Sequence, residues 1–251
     1  MKVFISAGHG GSDPGAVGNG LLEKDCNLYI ALAFGAELEK AGVNVKYSRT
    51  KDENDPVTQE VIEANHFQAD FAISFHNNAG GGIGSESYYY PGDMTGESLA
   101  KIFEAVTVSM GAKSRGAKTT NKLYFIRNTA MTAVLVESAF IDSKDYVRIN
   151  SYEKCNDLGQ KYAKAFLSWA NIKPVEETKP GEFKTFQIKA KNRKLYVFRD
   201  HTRDSEVSYV IEDKRRYTII DVYRYYEHNE DWFKLKSGIG WVNSDDVVII
   251  E

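Results

Sequence analysis

Cysteine is scarce in this chain. Cys26 and Cys155 are the only two in 251 residues. They lie far apart and lack CxxC spacing, so they read as free, buried or semi-buried thiols in a reducing compartment. No apolar run approaches the ~20 residues a membrane helix needs, so membrane insertion is not expected. The N-terminus enters a strand pattern at once, without the charged start, apolar core and small-residue cleavage site of a signal peptide. The expectation is a chain made in the cytoplasm and not exported by that route. An excess of one charge sign is missing too: the net charge of −3 argues against a general nucleic-acid binder. Internal repeats and low-complexity tracts are absent, and the sequence is silent on oligomeric state. What is present is 42% hydrophobic residues, normal for a globular protein with a real core, over a length that suits one or two domains.

The opening stretch, MKVFISAGHGGSDPGAVGNGLLEKDCN, organises the rest. Lys2 to Ala7 reads as a buried strand that breaks at Gly8-His9-Gly10-Gly11. A glycine-rich loop leads to Glu23, the head of an amphipathic helix to Ala41 that Gly42 stops. Further strands are expected at Asn44–Ser48, Asp70–His76, Ser85–Tyr90, Leu123–Ile126 and Ala133–Phe140. Helices are expected at 55–67, Gly96–Met110, Asp142–Ile149 and Tyr152–Ala170. This alternation predicts an α/β domain with a mostly parallel sheet flanked by helices on both faces. Residues 1–172 form that domain, and the Pro/Gly/charge-rich stretch 173–182 reads as a linker. Residues 183–251 carry short strand-like runs and no helix, which suggests a small β-barrel.

Three polar residues stand where α/β proteins build sites. His9 leaves the first strand, Glu23 heads the first helix, and His76 ends the third strand. Two His and one Glu are the ligand set of a catalytic zinc with an open fourth position, where a bound water's pKa falls toward ~7. The competing reading gives each residue a local structural duty. Glu137 adds weight to the first. It lies inside AVLVESAF, an otherwise apolar strand, where an unpaired carboxylate costs several kcal/mol unless it is functional. It could serve as general base, or it could be a buried ion pair with Arg127 or Lys122.

GHGGSDPGAVG at Gly8–Gly18, LLEKDCNL at Leu21–Leu28, ISFHNNA at Ile73–Ala79 and VLVESAFI at Val134–Ile141 carry a resemblance. In order and spacing, residues 1–170 resemble the zinc-dependent N-acetylmuramoyl-L-alanine amidases of bacterial cell walls and their phages. The resemblance implies that His9, Glu23 and His76 bind Zn2+, that Glu137 is the catalytic glutamate, and that the fold is a mixed α/β sheet flanked by helices. Two positions depart from the family pattern. Glu60 stands where an arginine is usual, and Asn77 replaces the small residue usual after the histidine. His66, His201 and His228 match no ligand position; His66 is expected on a helix and the other two on the surface.

The segments Leu195–Arg199, Trp232–Leu235 and Gly240–Val242 more loosely resemble a bacterial SH3-type domain, which implies cell-wall binding. Trp232 and Trp241 are expected to be structural. Tyr217, Tyr223, Tyr225 and Tyr226 could face a ligand or pack across strands. The combined expectation is a two-domain peptidoglycan hydrolase that cuts the amide between N-acetylmuramic acid and L-Ala. A phage or prophage endolysin is favoured over an autolysin, cytoplasmic until released to the wall. A zinc peptidase cutting within the stem peptide and a non-catalytic wall-binding protein are the rivals. No residue is assigned to substrate binding.

Overall fold

The computed structural model describes residues 1–172, 187–191, 194–198, 207–211, 216–225, 230–235 and 240–250. The expected linker 173–182, together with Arg199, His201, Tyr226 and His228, lies outside the described residues. The chain divides into two compact units, Met1–Val175 and Glu176–Glu251.

The first unit has the expected α/β architecture. Its strands are β1 (Lys2–Ala7), β2 (Val17–Gly18), β3 (Leu21–Leu22), β4 (Asn44–Tyr47), β5 (Phe71–Asn78), β6 (Ser85–Tyr89), β7 (Ser114–Thr119) and β8 (Thr132–Phe140). Its helices are α1 (Glu23–Lys40), α2 (Val57–Phe67), α3 (Met94–Ser109), α4 (Tyr124–Asn128) and α5 (Tyr152–Trp169), with a 3₁₀ turn at Lys144–Arg148. Six strands make one sheet in the order β4-β1-β5-β8-β6-β7. Every pairing is parallel except β6 with β8.

The central strands are apolar on both faces, so helices cover both. Ile5, Ile73, Phe75, Val134 and Val136 point toward α1, α3 and α5. Phe4, Ala72, Ala133 and Leu135 point toward Val61 and Ala64 of α2 and Phe125 and Ile126 of α4. In the larger core, Phe34 meets Phe75, Phe103 and Phe166 edge-to-face at 5.1, 6.0 and 5.7 Å between ring centroids, and truncating a ring so enclosed typically costs about 3–5 kcal/mol. Asp93 and Ser151 cap α3 and α5 by accepting from Gly96 N and Lys154 N.

Two expectations are corrected. Leu123–Ile126 was expected as a strand, but Tyr124–Asn128 is a short helix. Four apolar residues have no period that separates strand from helix, and here Phe125 and Ile126 are buried against α2 and β8 while Tyr124 is exposed. The second is the helix expected at Asp142–Ile149, of which only the 3₁₀ turn Lys144–Arg148 forms; and β7, SRGAKT, too polar to be read from pattern, holds its place at the sheet edge by pairing with β6.

The described residues of the second unit form seven strands: β9 (Gln187–Ala190), β10 (Leu195–Phe198), β11 (Val207–Ile211), β12 (Tyr217–Tyr225), β13 (Glu230–Leu235), β14 (Trp241–Asn243) and β15 (Val247–Ile250), with a 3₁₀ turn at Ser244–Asp246 where no helix was expected. They pair antiparallel in the order β11-β10-β14-β13-β12-β9-β15. Leu195, Val197, Ile211, Phe233, Leu235 and Val242 form its core. Trp232 is buried edge-to-face against Phe198, a packing role, and Lys234 Nζ lies 5.3 Å over the Trp241 ring. No described helix in either unit is long and apolar enough to cross a membrane.

Candidate metal centre and its groove

β1 and β5 are adjacent and parallel, so both end on the same edge of the sheet. That edge brings His9 to His76. The loop after β1 closes tightly: His9 adopts φ 66°, and a Cβ on Gly8 would lie 2.1 Å from the His76 ring. Glycine at position 8 is therefore a requirement of packing. Gly15, at φ 65°, is held to glycine twice over, because a Cβ there would meet Glu23 and His9 at 2.6 Å.

The same loop delivers Glu23. Asn19 and Gly20, both at positive φ, turn the β2–β3 hairpin. Leu22 offers no side-chain cap to α1; Glu23 N instead donates to Ala16 O and Lys24 N to Pro14 O. Backbone caps the helix, which leaves the Glu23 carboxylate for the site. Its Oε1 is 3.1 Å from His76 Nδ1 and its Oε2 is 3.2 Å from His9 Nε2. Ala16 N donates to Oε2 and Asn77 N to Oε1, at 2.7 and 3.0 Å, and Asn27 Nδ2 donates to Oε1 at 3.2 Å. His9 Nδ1 lies 2.8 Å from Asp13 Oδ2.

These contacts set the charges. Burial alone would raise the Glu23 carboxyl, but the two imidazoles hold it far below the usual carboxylate range. The bond to Glu23 raises His9 to about 9 against the opposing effect of burial. For His76, burial pulls downward, and Glu23 with Glu137 outweighs it, leaving the group raised. The cluster thus calls for positive charge beside a fixed anion. One ligand atom from each of His9, Glu23 and His76 lies within 4.8 Å of the others, so the three can hold a metal ion.

Glu137 sits one strand away. It is the register partner of His76 across β5–β8 and of Glu86 across β8–β6, so the three side chains share one face of the sheet. Its Oε2 is shielded and has no hydrogen-bond partner. Burial raises its carboxyl to about 7, with His76 pulling the other way. Neither Arg127 nor Lys122 pairs with it: Arg127 Nη1 donates to Asn121 O and its guanidinium lies over the Tyr124 ring.

A groove of about 320 Å³ opens beside the two histidines, walled by Val57, Tyr124 and Leu135 and by the carboxyls of Asp55 and Glu60. Glu60 is 3% exposed, accepts from Ser6 Oγ at 2.9 Å, and is raised to about 7 by burial and by Asp55. Buried Arg49 lies behind the loops, where its guanidinium donates to Ala7 O, Lys24 O and Lys51 O at 2.9, 2.7 and 3.1 Å.

The sequence reading singled out His9, Glu23, His76 and Glu137, and the structure brings all four to one edge. His66 stays apart, exposed on α2. Asp13, Asn27, Arg49, Asp55 and Glu86 were missed. Asp13 alone carried a signal, its place in the SDPG turn four residues after His9.

A family model described as Amidase_3, N-acetylmuramoyl-L-alanine amidase, matches residues 3–168. The chain is 38% identical over 199 residues to a sporulation-specific N-acetylmuramoyl-L-alanine amidase of Bacillus subtilis, covering 76% of this chain and 77% of that protein. It is 34% identical over 207 residues to an endolysin of Bacillus phage SPP1, covering 76% of each. Among solved structures, N-acetylmuramoyl-L-alanine amidase AmiC2 of Nostoc punctiforme superposes with a TM-score of 0.64 at 31% identity, covering 68% of this chain and 97% of that one. A sheet edge that gathers two histidines and two glutamates, and a family model that spans almost the whole unit around them, lead to the same place: the chain belongs to the N-acetylmuramoyl-L-alanine amidase family.

Proposed function

We propose that the chain is a peptidoglycan hydrolase that cleaves the amide joining N-acetylmuramic acid to L-Ala, with zinc held by His9, Glu23 and His76. The observation that carries this reading is the unpartnered, shielded Oε2 of Glu137 one strand from the three-ligand cluster. The donor set fits zinc, since three N/O ligands leave a fourth position for water or substrate. When bound, zinc supplies Lewis acidity toward the scissile carbonyl and the attacking water.

The chain's own residues do the rest. Asp13 holds His9 Nδ1, so Nε2 faces the site in one tautomer. The backbone N–H groups of Ala16 and Asn77 fix both Glu23 oxygens. Glu137, raised to about 7 by burial, takes a proton from water as the oxygen bonds to the carbonyl carbon. It returns that proton to the amide nitrogen as the C–N bond breaks. The products are the lactyl carboxylic acid on the glycan and a peptide with a free L-Ala amine.

The second unit is read as an SH3-like wall-binding domain at 183–251, joined by a linker at 173–182. The match to a phage endolysin supports a role in lysis at the cell wall, and the match to a sporulation amidase favours a bacterial counterpart. Mass spectrometry of digested cell wall tests the reaction. Intact glycan and peptides beginning with L-Ala are expected, and a chelator should stop their release. Fragments cut inside the stem peptide would replace this reading with a peptidase.

A further inference from the structure

The row that holds His76 and Glu137 continues across the sheet. Next comes Glu86 on β6, 3% exposed, and then Arg115 and Lys118 on the edge strand β7. Both cations lean back onto Glu86: Arg115 Nε donates to Oε2 at 2.7 Å, and Lys118 Nζ donates to the same oxygen. Tyr88 and Asn78 donate to Oε1 at 2.8 and 3.0 Å. Aromatic faces fix the cations further, with Arg115 4.9 Å over the Phe140 ring and Lys118 5.9 Å over Tyr88. Their side chains nevertheless stay 36% and 38% exposed. Glu104, the other acid near Arg115, is occupied by the backbone N–H groups of Arg115 and Gly116 and by Ser85. Two exposed, immobilised cations therefore meet one buried carboxylate. The other side chains around the centre include five carboxyls, Asp13, Glu23, Asp55, Glu60 and Glu137, while the cations Arg49 and Lys24 are turned onto backbone carbonyls behind the loops.

We infer that Arg115 and Lys118 form a subsite for the first free carboxylate of the stem peptide, carried by the residue after L-Ala. This deepens the amidase reading and rests on it. Direction follows from the chemistry, because the leaving amine must face the group that protonates it. The peptide then departs on the Glu137 side, toward β6 and β7, and the glycan lies toward the groove between α2 and α4. Scale agrees with this. Neighbouring strands are about 4.8 Å apart, and one extended residue spans about 3.5 Å, so a carboxylate one residue past the scissile bond reaches cations gathered over β6. Fixed donors of this kind form strong charge-assisted bonds without the entropy of ordering two long side chains.

The test compares two soluble muropeptides, N-acetylmuramoyl-L-Ala-D-isoglutamate and its isoglutamine amide, with the full chain. Binding of the two released dipeptides is measured in parallel by calorimetry. The free acid should be favoured about tenfold in kcat/KM, the worth of one charge-assisted bond. Lys118→Gln should narrow that ratio, and Lys118→Gln with Arg115→Gln should bring it near one, through KM of the acid. Arg115→Lys should restore part of the preference, which a purely structural role does not explain. Equal use of both substrates by the parent, or an unchanged ratio in the double variant with its fold intact by circular dichroism, overturns the inference. If neither substrate is cut but the acidic dipeptide still binds better through Lys118, the amidase reading falls and the subsite stands.

Discussion

Glu86 and Glu137 face each other across β6 and β8, one strand spacing apart, and their surroundings send them opposite ways. One strand in from the sheet edge, burial alone would raise Glu86, but Lys118, Arg115 and Tyr88 hold its carboxyl below the ordinary range. At the sheet centre, Glu137 has no lysine or arginine beside it, and burial raises it to about 7 against the pull of His76. A carboxylate with every lone pair engaged is structural, because its proton affinity has been spent on fixed donors. One left with an idle oxygen beside a candidate metal-ligand cluster is lifted by burial above the ordinary carboxylate range. The difference lies in β7, which supplies cations to its neighbour and none to the strand beyond.

The largest effect that bears on this contrast is removal of what gives Glu137 its setting. His76→Ala deletes a ligand-type side chain, so zinc content should fall from about one per chain to near zero and lysis should cease; zinc undiminished in elemental analysis would sink the ligand assignment. Next is Glu137→Gln, which keeps shape but cannot accept a proton. Lysis of cell walls should fall about 10²–10⁴-fold, with zinc retained; a rate within a few-fold of the parent would make Glu137 structural and erase the contrast. Glu86→Gln should do the reverse. Losing a buried, charge-assisted network costs about 1–3 kcal/mol, read as a lower midpoint in urea, and zinc content should not change. A smaller signal lies in the pH dependence of stability of the metal-free protein. Glu137 has a folded pKa near 7, above its ordinary 4.5, so the folded state binds more protons between those values. Its contribution is present below about 4.5 and is lost as pH rises through 7. Glu86, depressed, contributes above its ordinary pKa and loses that as pH falls through its folded value. The parent-minus-Glu137→Gln difference should decline between pH 4.5 and 7; a flat difference would show that Glu137 is hydrated.

Glu137 was legible because one charge interrupts an apolar strand, AVLVESAF. His9 was legible because glycines isolate it, and His76 because it ends a central strand. Glu86 was not: in SESYYY it alternates with serines, and a period-two polar pattern reads as a solvent face when in truth Arg115 and Lys118 of β7, with Asn78 and Tyr88, enclose it. Edge strand β7 escaped because backbone pairing, not burial, holds it. The same limit applied to Leu123–Ile126, where tertiary packing on α2 decided for helix. In the second unit, Val207–Ile211 and Val247–Ile250 went unmarked as strands although both are β-branched runs, and only pairing with β10 and β9 identifies them.

Arg49 fixes the loops around the candidate metal centre. One guanidinium ties the end of β1, the first turn of α1 and the segment after β4 through three carbonyls. The segments that carry His9 and Glu23 are thus tied together by the chain's own hydrogen bonds. Under the zinc reading, an ion would meet loops already in place, and its binding should change the protein's shape little.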